Sequence, residues 1–119
     1  MQLNEIRFDG ATPIDGYGPG FFRIAGQVLS GPICVTTEGA RSWGGYHDVS
    51  SLTALVGTVD VLFIGTGAET AHVPASLREA LEEAGLGVEA MNSPAAARTY
   101  NVLLSEGRRV AAALIPVET

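Results

Sequence analysis

The hydrophobic pattern changes character about half-way along the chain. Residues 1–20 end in Ile14-Asp15-Gly16-Tyr17-Gly18-Pro19-Gly20, and they are turn-rich and weakly periodic. That predicts an N-terminal arm followed by a loop. Apolar runs then occupy residues 21–25, 27–29 and 33–37, with Gly26 and Gly31-Pro32 between them. Short aromatic and β-branched runs between turn formers predict an antiparallel meander. Residues 38–49 read as a long glycine-rich connection carrying the sole tryptophan, Trp43. Ser50 or Ser51 can cap a short helix running through Val56.

From residue 59 the runs are longer. Residues 59–64 are nearly all apolar, the mark of a strand buried on both faces. A glycine turn follows, then a helix with Pro74 in its first turn, Leu77, Leu81 and Ala84 on one face, and Gly85 at its stop. Residues 88–91 form the next strand. Ser93 as N-cap and Pro94 at the first helical position open a second helix. Ala96, Tyr100, Leu103 and Leu104 have helical spacing within it, and Gly107 ends it. Residues 110–115, short of bulk, read as a central strand. Strand, helix, strand, helix, strand implies crossovers and parallel pairing. The expected fold class is α/β in three layers: a central, mostly parallel mixed sheet with flanking helices and an added N-terminal antiparallel β layer.

Composition narrows this reading. A length of 119 residues, against about 150 per domain, predicts one domain over residues 1–119, with an arm and loop at 1–20 and a compact core at 21–116. Glycine is in excess at 15 residues, and most of it falls at the turns just read. All seven basic residues are arginine, so Schiff-base chemistry, a P-loop lysine and pyridoxal phosphate attachment are excluded. The net charge of −6 and the absence of any basic run longer than Arg108-Arg109 argue against nucleic acid as a partner. No apolar stretch is long enough for a membrane span. The polar, acid-bearing start is unlike a targeting peptide, which predicts a cytoplasmic protein. The lone Cys34, within the apolar Ile33-Cys34-Val35, is expected to be a buried, inert thiol.

Candidate chemistry concentrates where strands end. In open α/β sheets ligands bind beyond the carboxyl ends of the strands, where loops and helix N-termini converge. Gly65-Thr66-Gly67-Ala68-Glu69 and Met91-Asn92-Ser93-Pro94 occupy such ends, and the helix amides that follow favour an anion. Gly65-Thr66-Gly67 begins like a dinucleotide fingerprint, but Thr70 stands at the third glycine position, so no cofactor is expected. Arg98, one turn into the second helix, can reach back over the loop to a carboxylate or phosphate, or pair with Glu89, Glu69 or Glu106. Thr99 and Asn101 are poor mid-helix residues, which suggests specific hydrogen bonds to a ligand or to the fold. Glu69 and Glu106 are the candidate acids of a pocket. Trp43 and Tyr46, amid glycines, are candidate anchors for a protein partner, although the reading preferred for Trp43 is that it covers the sheet's open face. His47 and His72 lie in loops without metal spacing, and no nucleophile–base set is present.

Several of these fragments occur together in one family. Tyr17-Gly18-Pro19-Gly20-Phe21, Trp43, Phe63-Ile64-Gly65-Thr66-Gly67, Val88-Glu89-Ala90-Met91, Ala97-Arg98-Thr99-Tyr100-Asn101 and Glu106-Gly107-Arg108 stand in that order. Over about residues 5–116 the chain resembles domain-of-unknown-function family 498. The family usually has threonine or serine soon after the methionine, where this chain inserts Asn92-Ser93. The resemblance implies a three-layer α/β domain with a mixed central sheet. Among the family's members are a mitochondrial assembly factor for respiratory complex I and an adipogenesis-associated protein. It implies no reaction.

The functional expectation is accordingly a small, non-catalytic domain that binds a protein partner in an assembly role. The alternative is a small anionic ligand held by Gly65, Thr66, Gly67, Glu69, Asn92, Ser93, Arg98, Thr99, Asn101 and Glu106, in one version with acid/base catalysis by Glu69 or Glu106. An edge strand of the N-terminal meander leaves a homodimer open.

Overall fold

The computed structural model describes residues 5–7 and 13–118. In chain order these form β1 (Glu5–Arg7), β2 (Ile14–Gly18), β3 (Phe21–Ile24), β4 (Gln27–Ser30), β5 (Ile33–Thr36) and β6 (Gly39–Ser42). A 3-10 turn (Gly45–His47) and α1 (Val49–Thr53) follow, then β7 (Val61–Thr66), α2 (Ala75–Glu83), β8 (Gly87–Met91), α3 (Ser93–Ser105) and β9 (Val110–Ile115).

Two apolar strands organise the molecule. β9 is buried from Val110 to Leu114, and β7 from Leu62 to Gly65. They pair in parallel, Val61 opposite Val110 through Thr66 opposite Ile115. Alternate residues then serve opposite faces. Phe63, Val110, Ala112 and Leu114 join one core with Ala96, Ala97, Tyr100 and Leu104 of α3. Leu62, Ile64, Ala111 and Ala113 join the other with Leu52 of α1 and Leu77 and Leu81 of α2. The three alanines of β9 are small enough to let both layers pack closely on the central strand.

The large sheet has the order β1-β6-β5-β9-β7-β8, and a second, three-stranded sheet has the order β2-β3-β4. Chain connection moves from β7 outward to β8, then back across β7 to β9. Right-handed crossovers that reverse direction place their helices on opposite faces, which is where α2 and α3 lie. The small sheet shares α3's face, because Ile14, Phe22, Ile24 and Leu29 pack into the same core as Tyr100 and Leu104. The layers are thus α1 and α2, the mixed sheet, and α3 with the small antiparallel sheet.

The expected three layers, mixed sheet and separate antiparallel layer are present. Parallel pairing is confined to β9-β7-β8, however, while β1-β6, β6-β5 and β5-β9 are antiparallel. The N-terminal half accounts for that difference. Residues 14–18, expected as loop, are β2, with a register shift between Ile14 and Gly16 that hides any period-2 pattern. The run at residues 33–37 does not complete the meander: β5 crosses to the large sheet, and β2 takes its place beside β3. Residues 39–42, expected in a glycine-rich connection, form β6 against β5. Residues 1–4 and 8–12 of the expected arm lie outside the described residues.

Two caps also move by a residue or more. α1 is capped by Asp48, whose carboxylate accepts from the Ser51 N–H (3.2 Å) and hydroxyl (2.6 Å) and from the Gly44 N–H (3.0 Å). These bonds, the Ser51 hydroxyl foremost, hold its carboxyl below the usual carboxylate range. An ionised acceptor outcompetes the hydroxyls of Ser50 and Ser51 for this position. At α3 the cap is Asn92, so Ser93 is the first helical residue.

Asn101 fixes the small sheet to the rest. Its side-chain amide donates to the Ile14 carbonyl (2.9 Å), and its oxygen accepts from the Ile14 N–H (2.8 Å). The side chain thereby pairs with the outer edge of β2 as a neighbouring strand would. Asn101→Ala leaves both Ile14 groups without that partner and is expected to cost about 1–3 kcal/mol in urea unfolding. An unchanged unfolding midpoint would show that the small sheet does not depend on this amide.

Candidate functional site

The loops expected to form a ligand cradle do meet. Gly65 lies opposite Met91 on one side and Leu114 on the other. The start of α3 lies directly against β7. A Cβ added at Gly65 would stand 2.6 Å from Ser93 Oγ and 2.8 Å from Ser93 Cα, so only glycine admits the helix at this depth.

The polar groups assembled there are bonded to one another. Ser93 is fully buried. Its hydroxyl accepts from the Gly67 N–H (2.9 Å) and donates to the Ile115 carbonyl, while its own N–H donates to the Gly67 carbonyl (2.7 Å). The Thr66 hydroxyl donates to the Glu69 carbonyl (2.6 Å) and accepts from the Ala71 N–H (3.1 Å). Asn92 Oδ1 accepts from the Ala95 N–H (2.8 Å), the Asn92 carbonyl accepts from Ala96 (2.9 Å), and the Asn92 N–H donates to the Thr70 hydroxyl (3.1 Å). Pro94 carries no N–H. The amides that a helix N-terminus offers to an anion are therefore already satisfied within the fold.

The remaining candidates do not complete a site. Arg98 is exposed, and the ion pairs among the described residues are Arg78–Glu82 and Arg109–Asp60 instead. Thr99 directs its hydroxyl to Met91 Sδ at 3.6 Å, and Asn101 holds β2. Glu69 is exposed and takes part through its carbonyl. Glu106 caps the far end of α3, about 20 Å from Asn92 at 1.5 Å per residue. Trp43 is not available as a partner anchor and takes the covering role preferred for it: it is 3% exposed and donates its indole N–H to the Asp48 carbonyl (3.1 Å). Buried with Leu52, Leu55 and Cys34, it covers the sheet. Tyr46, packed edge-on against it at 6.0 Å, is the half-buried ring of the pair.

The open concavity lies at the other end of the sheet. α1 is only five residues long and leaves the β5-β6 corner uncovered. A cleft of about 300 Å³ results, lined by Cys34, Thr36, Thr37, Arg41, Leu55 and Thr58 among others. Burial pushes the Cys34 thiol up to about 11, against an opposing pull from Arg41, so the thiol is protonated at neutral pH and inert as expected. Cys34 opposes Arg41 across the β5-β6 hairpin and therefore shares its face. The sequence signal was a hairpin centred on Thr37-Glu38, which the glycine-rich reading of residues 38–49 obscured. Among the described residues, no three of His, Cys, Asp and Glu cluster closely enough to hold a metal ion.

Ser93→Ala leaves the Gly67 N–H and Ile115 carbonyl without their buried partner, and a loss of about 1–3 kcal/mol is expected on thermal unfolding. Arg98→Ala, at an exposed position, is expected to stay within about 0.5 kcal/mol of the parent. Equal stabilities for the two variants would contradict a closed, internally bonded loop.

Comparison with known proteins agrees with the resemblance carried by the sequence motifs. Residues 14–115 match the family model described as protein of unknown function (DUF498/DUF598). The chain is 54% identical over 117 residues to an uncharacterized protein of Rhodobacter capsulatus, covering 98% of this chain and 94% of that one. It is 39% identical over 123 residues to the NADH dehydrogenase (ubiquinone) 1 alpha subcomplex assembly factor 3 of Danio rerio, covering 98% of this chain and 71% of that protein. A crystal structure described as an outer membrane protein from Bartonella henselae superposes with a TM-score of 0.83 at 39% identity, over 93% of this chain and 99% of that one. With the family model spanning most of its length and relatives at these identities, the chain belongs to the DUF498/DUF598 family.

Proposed function

We propose that this chain is a protein-binding accessory domain that assists the assembly of a larger complex, respiratory complex I being the case its relatives name. The observation that carries the reading is the 39% identity, over 98% of this chain, to a complex I assembly factor. The local structure is compatible with it. The groups best suited to ligand chemistry at the carboxyl ends of the strands, Ser93, Asn92, Thr66 and the Gly67 amide, hold the fold together instead. A scaffold of this kind contributes surface rather than a reaction centre. Tyr46 is the candidate anchor that retains access to a partner. The domain acts in the cytoplasm, a compartment that keeps an unpaired thiol such as Cys34 reduced.

Recovery of an affinity-tagged chain from its native host under mild cross-linking is expected to bring down a defined protein partner, and deletion of the gene is expected to lower assembled complex I. Recovery of no partner, together with unchanged complex I in the deletion strain, would overturn the proposal.

A further inference from the structure

We infer that the groove at the amino ends of the parallel strands binds a small oxyanion-bearing molecule, an organic phosphate or a carboxylate. It consists of two adjoining clefts of about 300 and 190 Å³ that share Thr37, Thr58 and Val59. The larger alone reaches the lower end of the range for small-molecule sites, about 300–1,000 Å³.

Charge is the first reason for an anion. The chain carries −6 overall, yet Arg41, Arg108 and Arg109, three of its seven basic residues, line this groove. Among the described residues, Glu38 is the one acid of the lining, and Asp60 takes up the charge of Arg109, so lining and ion pair together sum to +3 − 2 = +1. A positive concavity on an acidic protein concentrates anions locally. Asp60, at the rim, is engaged by Arg109 at 2.7 Å, and Glu5 stands opposite Arg41 in the β1-β6 register.

Donor chemistry is the second. Arg41 is half-buried on the cleft wall, and its hydrogen bond to the Ser51 carbonyl is long, at 3.5 Å. A guanidinium has five N–H donors, so most of its capacity remains for a ligand. Thr36 accepts from the Glu38 N–H (3.1 Å) and keeps its hydroxyl proton to donate. Thr58 has its hydroxyl turned to the Leu55 carbonyl (2.8 Å) and serves as wall. Arg41 and the Thr36 hydroxyl therefore provide a charged, directional seat, with Arg108 at the mouth. The apolar surface of Leu55, Val59 and Leu104 faces the body of the molecule.

The test is titration of the 15N-labelled chain with sodium phosphate and, separately, sodium malonate, with ionic strength held constant by chloride. Saturable amide shifts confined to residues 36–41, 58–59 and 107–109 are expected with at least one anion. A response to phosphate alone assigns a phosphate ester, and a response to malonate alone assigns a carboxylate. Arg41→Gln and Arg108→Gln are each expected to weaken binding about tenfold, as loss of a charge-assisted hydrogen bond would, and Arg98→Gln on α3 is expected to leave it unchanged. Dispersed spectra of the variants establish that they fold, and the exposed Arg108 keeps the test open if Arg41→Gln does not. No saturable shift with either anion, shifts elsewhere in the chain, or an affinity that Arg108→Gln leaves unchanged would overturn the proposal.

Discussion

A single buried hydroxyl joins three segments of this chain. Ser93 Oγ sits between the Gly67 N–H at the end of β7 and the Ile115 carbonyl at the end of β9, and Ser93 itself is the first residue of α3. That position is available only because Gly65 has no Cβ. In a buried setting the alternative to these bonds is an unsatisfied amide and carbonyl, each costing about as much as the bond itself contributes. The constraint therefore fixes the depth and direction of α3. Everything that α3 carries follows from it, including Tyr100 in the core and Asn101 at the edge of β2.

The same constraint shapes the functional reading. An open α/β sheet ordinarily offers its carboxyl end to a ligand. Here that end is sealed by its own side chains, with Asn92 capping α3 and Thr66 and Thr70 holding the intervening loops. The opposite end is open for a separate reason. α1 spans five residues and cannot cover the corner where β5 turns into β6, so Arg41 and Thr36 face a groove rather than a helix.

How far the sequence disclosed this depends on the range of the interactions. β7, α2, β8, α3 and β9 were readable because long apolar runs alternate with helices marked by Pro74, Pro94, Gly85 and Gly107. The latter two glycines take φ of +93° and +79°, which other residues rarely adopt. β2 and β6 were not readable, since two of the five residues of β2 are glycine and β6 buries only Ala40. Nor does any local signal send β5 to β9 rather than to β4; that choice is made by core packing across the chain. At the candidate site the residue types were identified but not their roles. The sequence makes Ser93 an N-cap and a candidate ligand residue, whereas the partners of its hydroxyl lie 22 and 26 residues away. For Trp43 the sequence offers both an anchor and a sheet cover, and the fold decides for the cover by burying it among Leu52, Leu55 and Cys34.

The sealed carboxyl end can be examined most directly by amide hydrogen exchange in the unliganded protein. The Gly67, Ser93 and Ala95 amides donate to the Ser93 hydroxyl, the Gly67 carbonyl and the Asn92 side chain. Protection at Gly67 and Ser93 comparable to that of β9 is the expected result, because opening these two requires α3 to leave β7. Exchange at the rate of exposed loop amides such as Ala68 or His72 would contradict it, and would restore the carboxyl end as an open binding site.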